Sequence, residues 1–359
     1  MPGAPVNVRL STTGSAARRR SPRNADDVRV SEHFEPRLRS LRAIPPVRVG
    51  SPSGPTRGAA RGSGWRRTGA GLYVPAGVEC TPEQRIVERA QPLPGGGAIT
   101  GWANLRLRRA AYFDGRGLLV GVVVPADCHP RNREGVRWVR RGVPDDLEVV
   151  LGLRLLPATE ALIDHMAELV RRGRPREATV AADMCVAASL CTLAEVGDAL
   201  QRRRRIASRP RVERALGLAR EGSLSPPESQ LRLLWMLDTA IPEPVVNRWV
   251  VDDEGRLVAV PDLLEPKSGL VVEYDGSAHA GARRRSRDAE KDDLYRELGL
   301  EPMRLTAPDM QRPLSVIDRL ERGYRRAVTS DRPRRWSIGQ PFAGTHGTVG
   351  DARGCRTYR

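Results

Sequence analysis

The segment Leu270-Val271-Val272-Glu273-Tyr274-Asp275 constrains this chain more than any other. A short apolar run with β-branched residues reads as a buried strand, yet two carboxylates interrupt it. Glutamate is poor in strands and expensive to bury, so Glu273 has few purely structural explanations. Upstream, Arg256 to Leu264 reads as a second strand, and Pro266-Lys267-Ser268-Gly269 as the loop joining the two. Closing the hairpin over that four-residue loop sets Leu264 opposite Val271 and Asp262 opposite Glu273. The period of 2 puts Asp275 on the same face as Glu273.

Three carboxylates then converge among Val and Leu side chains. Directly opposed like charges destabilise a sheet, and partial burial would force one of them to keep its proton. A divalent cation removes the conflict, and hard oxygen ligands suit Mg²⁺ or Mn²⁺. Such a site can polarise a phosphate and activate a water for hydrolysis.

Neighbouring residues extend this candidate site, each with a plainer reading beside it. Ser225-Pro226-Pro227-Glu228 opens a helix whose apolar face is Leu231, Leu234, Trp235 and Leu237. Glu228 is therefore both a candidate catalytic acid and a capping-box glutamate. Asp262 also fits a turn after Pro261, and Asp275-Gly276 fits a turn at the strand end. His279, in Ser277-Ala278-His279-Ala280-Gly281, reads as a surface-loop histidine or a proton shuttle. Arg283, Arg284, Arg285 and Arg287 read as a solvated face or as contacts to a nucleic-acid phosphate.

Pro261-Asp262 followed by Glu273-Tyr274-Asp275 resembles the PD-(D/E)XK nuclease signature. With Ser225 to Glu228, Gly276, His279, Arg287-Asp288, and Met303-Arg304-Leu305-Thr306 followed by Asp309, the run is similar to a narrower subgroup. That subgroup is the domain of unknown function related to very-short-patch mismatch-repair endonucleases, and the resemblance covers roughly residues 220–328. It implies a restriction-endonuclease-like α/β core that binds Mg²⁺ (or Mn²⁺) through Asp262 and Glu273, with Asp275 as a third ligand. Glu228 would orient the site. The implied activity is endonucleolytic hydrolysis of DNA, in repair or in phage or toxin–antitoxin defence. One position departs from the signature: the lysine of E-x-K is Asp275 here. His279 or an arginine would then do the lysine's work, or the site is a relic on a non-catalytic, DNA-binding, antitoxin-like regulator.

Gly71-Leu72-Tyr73-Val74, Thr100-Gly101-Trp102-Ala103 and Tyr112-Phe113-Asp114-Gly115 resemble the type IV abortive-infection antitoxin family. The winged-helix reader that usually precedes that portion is not recognisable in residues 1–64. The expected organisation is a disordered basic segment over 1–64, a mixed α+β module over 65–220, the nuclease-like domain over 221–328 and a disordered tail over 329–359. The fold class is α/β in the nuclease-like domain, with a central mixed sheet, and α+β overall. Within the module, strands are expected over 71–75, 118–124, 135–140 and 148–156, with helices from Thr81 to Ala90, after Thr100 and after Pro157. Val28 to Leu41 reads as a marginal helix.

The net charge of +17 over 359 residues weighs less for DNA than it first suggests. Of the 60 basic residues only Lys267 and Lys291 are lysine, a bias that GC-rich coding produces unaided. Residues 1–67 carry 14 Arg against 4 acids and residues 331–359 carry 6 against 2, so most of the excess sits at the ends. No apolar run approaches the length of a membrane span, and the first thirty residues lack the apolar core of a secretory signal. The five scattered cysteines fit neither a disulfide framework nor a zinc ribbon. These features lead to a cytoplasmic protein without a membrane span, while the resemblance implies DNA as partner and no small-molecule cofactor.

Overall fold

A computed structural model of the chain describes residues 34–276 and 282–341, with the side chains of 282–289 outside the described set. The chain is mixed α+β. Its first part opens with β1 (Val47–Arg48), β2 (Trp65–Gly69) and β3 (Leu72–Pro75), an antiparallel sheet of order β1-β3-β2. Helix α1 (Pro82–Ala90) starts where Pro82 follows Thr81, whose hydroxyl accepts from the Gln84 amide. Next come β4 (Ala98–Thr100), α2 (Gly101–Leu107), β5 (Val120–Val124) and β6 (Val136–Arg140), with β5 central, antiparallel to β4 and parallel to β6. A short hairpin, β7 (Val149–Val150) and β8 (Leu153–Arg154), leads into helices α3 (Ala158–Arg171), α4 (Pro175–Ala187), α5 (Leu193–Arg202) and α6 (Arg209–Gly217). One core of Ile86, Trp102, Val122, Leu162 and Met166 joins sheet to helices.

The second part contains α7 (Pro226–Asp238), β9 (Val245–Val246), β10 (Arg248–Asp252), β11 (Leu257–Ala259), β12 (Leu263–Leu264) and β13 (Leu270–Asp275). It continues with α8 (Ala282–Glu297), β14 (Glu301–Thr306), α9 (Ala307–Met310), α10 (Pro313–Val328) and β15 (Trp336–Pro341). The central sheet has the order β14-β13-β12-β9, with β13 and β14 parallel and the other pairs antiparallel. Alternation along β13 divides its side chains between two cores. Leu270 and Val272 pack with Leu231 and Trp235 of α7 and Val316 and Leu320 of α10. Val271 packs on the other face, with Tyr295 of α8, Val250 and Trp336. The sheet is thus buried on both sides, which suits its apolar strands.

Several sequence expectations need correction. The stretch 245–251 is not one strand: Asn247, at φ 44°, breaks it and sends β10 into a second sheet of order β11-β10-β15. Asparagine tolerates this left-handed backbone better than most residues. The stretch 256–264 likewise splits at Pro261, which has no N–H to give a ladder. The alternating run 148–156 folds back on itself because Leu151 and Gly152 both have positive φ. Residues 34–41 are not helical, and 34–64 include β1 and ordered turns rather than a disordered segment. The expected tail from 329 contains β15, which pairs with β10 and buries Trp336.

The two parts pack directly on each other. Arg232 of α7 and Asp183 of α4 form an ion pair at 2.7 Å with both side chains fully buried. Asp183 also accepts from the Arg220 amide, and Arg232 donates to the Leu218 carbonyl. Leu233 enters a small apolar cluster with Val180 and Met184. Among the described residues no helix is long and apolar enough to cross a membrane.

Candidate active site

The carboxylate pair forms where the hairpin register sets it. Leu263 lies opposite Val272 and Leu264 opposite Val271, so Asp262 and Glu273 fall on one face, as the loop length predicts. Asp262 has just left the strand, and its Oδ2 accepts from the Tyr274 amide at 2.6 Å. It is 5% exposed. Burial pushes its carboxyl well above the usual range. Repulsion from Glu228 and Glu273 adds to this, while the Tyr274 amide and Lys291 oppose it.

Glu228 lies in the first turn of α7, where its backbone amide donates to the capping Ser225 hydroxyl, and its carboxylate accepts from that hydroxyl and from the Leu224 amide rather than from the Ser225 amide of a capping box. Ser225 caps α7, and the Glu228 Oε1 accepts from the Ser225 hydroxyl at 2.8 Å. Its Oε2 accepts from the Leu224 amide and from the Asn247 side chain, both at 2.9 Å. The first turn of α7 thus sets a second carboxyl group beside Asp262. Asn247 fixes that geometry further: its amide N donates to the Asp262 carbonyl and its side chain donates to the Gly222 carbonyl.

Glu273 is approached by three donors. Lys291 Nζ donates to its Oε1, and the Tyr295 hydroxyl donates to the same oxygen at 2.8 Å. Arg304 Nη2 lies 3.7 Å from Oε2. Lys291 and Tyr295 are one helical turn apart on α8 and therefore share a face. Arg304 is the parallel-register partner of Glu273 on β14, and it also pairs with Asp292 at 3.1 Å. Burial, reinforced by the Glu273 charge, raises the Tyr295 hydroxyl well above its ordinary value. Tyr295 is therefore a permanent donor that fixes the Glu273 side chain.

Asp262, Glu273 and Glu228 are brought together as expected. Asp275 lies two residues beyond Glu273, opposite Thr306 at the end of β13, and is half-buried. Among the described residues no three His, Cys, Asp or Glu side chains form a ready-made metal cage. His279 lies outside the described residues. Arg283, Arg284, Arg285 and Arg287 fall on the first turns of α8, with side chains outside the described set. Lys291, Tyr295 and Asn247 were missed by sequence reasoning, and Arg304 entered it only within the motif run Met303 to Thr306, without a role. One signal pointed to the first: Lys291 is one of two lysines in a chain whose other basic residues are all arginine.

The donor set fits a loosely held Mg²⁺. This ion keeps several waters and is commonly held by one or two carboxylates together with substrate phosphates, not by an all-protein cage. Asp262 and Glu273 supply two such carboxylates, and the raised Asp262 carboxyl is the electrostatic conflict a cation relieves. No family model matches the chain, and no curated protein or solved structure matches it.

Proposed function

We propose that the chain is a Mg²⁺- or Mn²⁺-dependent endonuclease with a restriction-endonuclease-like core that hydrolyses phosphodiester bonds in DNA. The observation that carries this reading is the buried Asp262 beside the half-buried Glu273, with the Lys291 ammonium on the Glu273 carboxylate. Asp262 and Glu273 would hold the ion, with Asp275 the nearest further carboxylate along β13. When bound, the metal supplies polarisation of a phosphoryl oxygen and a lowered pKa for water. Lys291 supplies what the E-x-K position lacks: an ammonium beside the second carboxylate, able to orient an attacking water and stabilise developing negative charge. It reaches Glu273 from α8, where the signature would place it on β13 at Asp275. Tyr295 and Arg304 hold Glu273 in place, and Glu228 with Asn247 anchors the Asp262 side of the site.

A second reading is a non-catalytic, DNA-binding, antitoxin-like regulator. It is favoured by one observation, that Glu273 already has three cationic or hydroxyl partners. Calorimetric titration of Mg²⁺ and Mn²⁺, run beside nicking assays on supercoiled DNA, separates the two readings. An endonuclease binds metal and nicks, and loses both in Asp262→Ala/Glu273→Ala. Absence of metal binding and nicking in the wild-type chain leaves the regulator.

A further inference from the structure

Beside the carboxylate site, β14 and α10 enclose an open cleft of about 330 Å³ lined by Pro302, Met303, Arg304, Arg319, Arg322 and Arg326. Four of the six lining residues are arginine. Three of them, Arg319, Arg322 and Arg326, repeat at helical spacing and so form one stripe along α10. The fourth, Arg304, is on the edge strand β14 in parallel register with Glu273, so the cleft borders the strand next to the one that carries the carboxylates.

We propose that this cleft binds the phosphodiester backbone of a nucleic acid and leads it to the carboxylate site. The inference rests on the nuclease reading for its direction, but the binding it describes needs neither metal nor catalysis. The guanidiniums are held ready by their surroundings. Arg319 donates to the Arg304 carbonyl at 2.6 Å and pairs with Asp309 at 2.8 Å, which fixes it against the edge of the sheet. Arg326 pairs with Glu301 at 2.7 Å, and Arg322 with Asp318 at 3.0 Å. The side chains of Arg322 and Arg326 remain 55% and 57% exposed. Exposed pairs of this kind are worth about 0–1 kcal/mol, so exchanging a carboxylate for a phosphate costs little. Guanidinium–phosphate pairs are charge-assisted and often bidentate, hence stronger. A row of such groups along a helix suits a ligand whose charges repeat. An acidic peptide shares the sign of charge but not the reason to lie against a hydrolytic site.

The test is fluorescence anisotropy with a labelled duplex DNA, in EDTA so that no cleavage occurs, across a salt series. Arg322→Ala/Arg326→Ala should bind about tenfold more weakly near physiological salt. The slope of log K against log salt should fall by about 2, since each lost phosphate contact removes ~0.9. Arg322→Lys/Arg326→Lys should keep most of the salt slope, which separates lost charge from misfolding. An Ala variant with wild-type affinity and slope overturns the inference. So does displacement of the DNA by polyglutamate at equal charge concentration, or binding of inorganic phosphate without DNA binding. Nicking by the wild-type chain is scored separately. A cleft variant that binds normally beside an active wild type sinks the cleft alone, whereas weakened binding beside an inactive wild type sinks the nuclease reading alone.

Discussion

Lys291 donates its ammonium to the same Glu273 oxygen that accepts from the Tyr295 hydroxyl. Two α8 residues one turn apart therefore grip a single carboxylate on β13. Because Tyr295 is buried and Lys291 is one-third exposed, the tyrosine fixes the carboxylate and the lysine faces the side that solvent reaches.

Lys291 should therefore govern turnover more than binding. Lys291→Ala is expected to lower nicking by about 100-fold or more, the scale of a lost acid–base or positioning group. DNA affinity in EDTA should stay within about twofold, because the loss is confined to the chemical step. Lys291→Arg should also be impaired, since a planar guanidinium cannot replace a compact ammonium. Nicking rates on supercoiled DNA decide it; an Ala variant with wild-type nicking would remove Lys291 from the mechanism.

Asp262 should destabilise the fold at neutral pH. Its folded carboxyl is raised by burial and by repulsion from Glu228 and Glu273, so the folded state holds that proton more tightly than the unfolded chain. Stability from this group is complete below the unfolded value of about 3.9 and is lost as pH rises through the folded value. Asp262→Asn keeps an oxygen for the Tyr274 amide and removes the charge. It should stabilise the metal-free protein at pH 7 by about 1 kcal/mol, with the gain shrinking as pH falls towards 4. Thermal melts in EDTA across pH measure this, and a gain independent of pH would contradict it.

Trp336 belongs to the core that supports the site. It packs with Val250, Val271 and Tyr295, and Arg334 stacks 3.8 Å from its ring centroid. Trp336→Ala should cost about 3–5 kcal/mol, as large-to-small core substitutions do. Truncation after residue 329 should be worse, because it also strips β15 from β10 and exposes an unpaired strand edge. Urea unfolding of the two variants gives both numbers; a truncated chain as stable as the full one would show that β15 is dispensable.

The Asp183–Arg232 pair should couple the two parts. Asp183→Ala leaves a buried guanidinium without its carboxylate, a change that typically costs about 3–5 kcal/mol. Asp183→Leu/Arg232→Met should recover much of the loss, since a packed apolar pair needs no desolvation. A single unfolding transition in the wild type that splits in two for Asp183→Ala would show that this contact makes the chain cooperative. Equal stability of Asp183→Ala and wild type would deny the pair any role.

The hairpin, and with it the facing of Asp262 and Glu273, was legible in the sequence because both depend on local rules. Loop length sets register, and a period of 2 sets the face. The start of α7 was legible for the same reason, in Ser225, Pro226 and Glu228. The bend at Asn247 was not, because a single left-handed residue between two valine-rich segments leaves no periodic trace. Nor was β15, whose short alternating stretch lies in Arg- and Gly-rich surroundings and becomes a strand only by pairing with β10.

The sequence by itself determined which carboxylates face each other, since neighbours along a hairpin are fixed by chain connectivity. The tertiary structure alone decided which cation meets them. Lys291 lies on a helix that must cross over between two parallel strands, and nothing local to Glu273 announces it. Crossover packing sets that contact, with α8 laid on the face of β13 and β14 by the burial of Tyr295 and Leu298. The same packing draws Arg304, distant in sequence, onto Glu273 through the parallel register of β14.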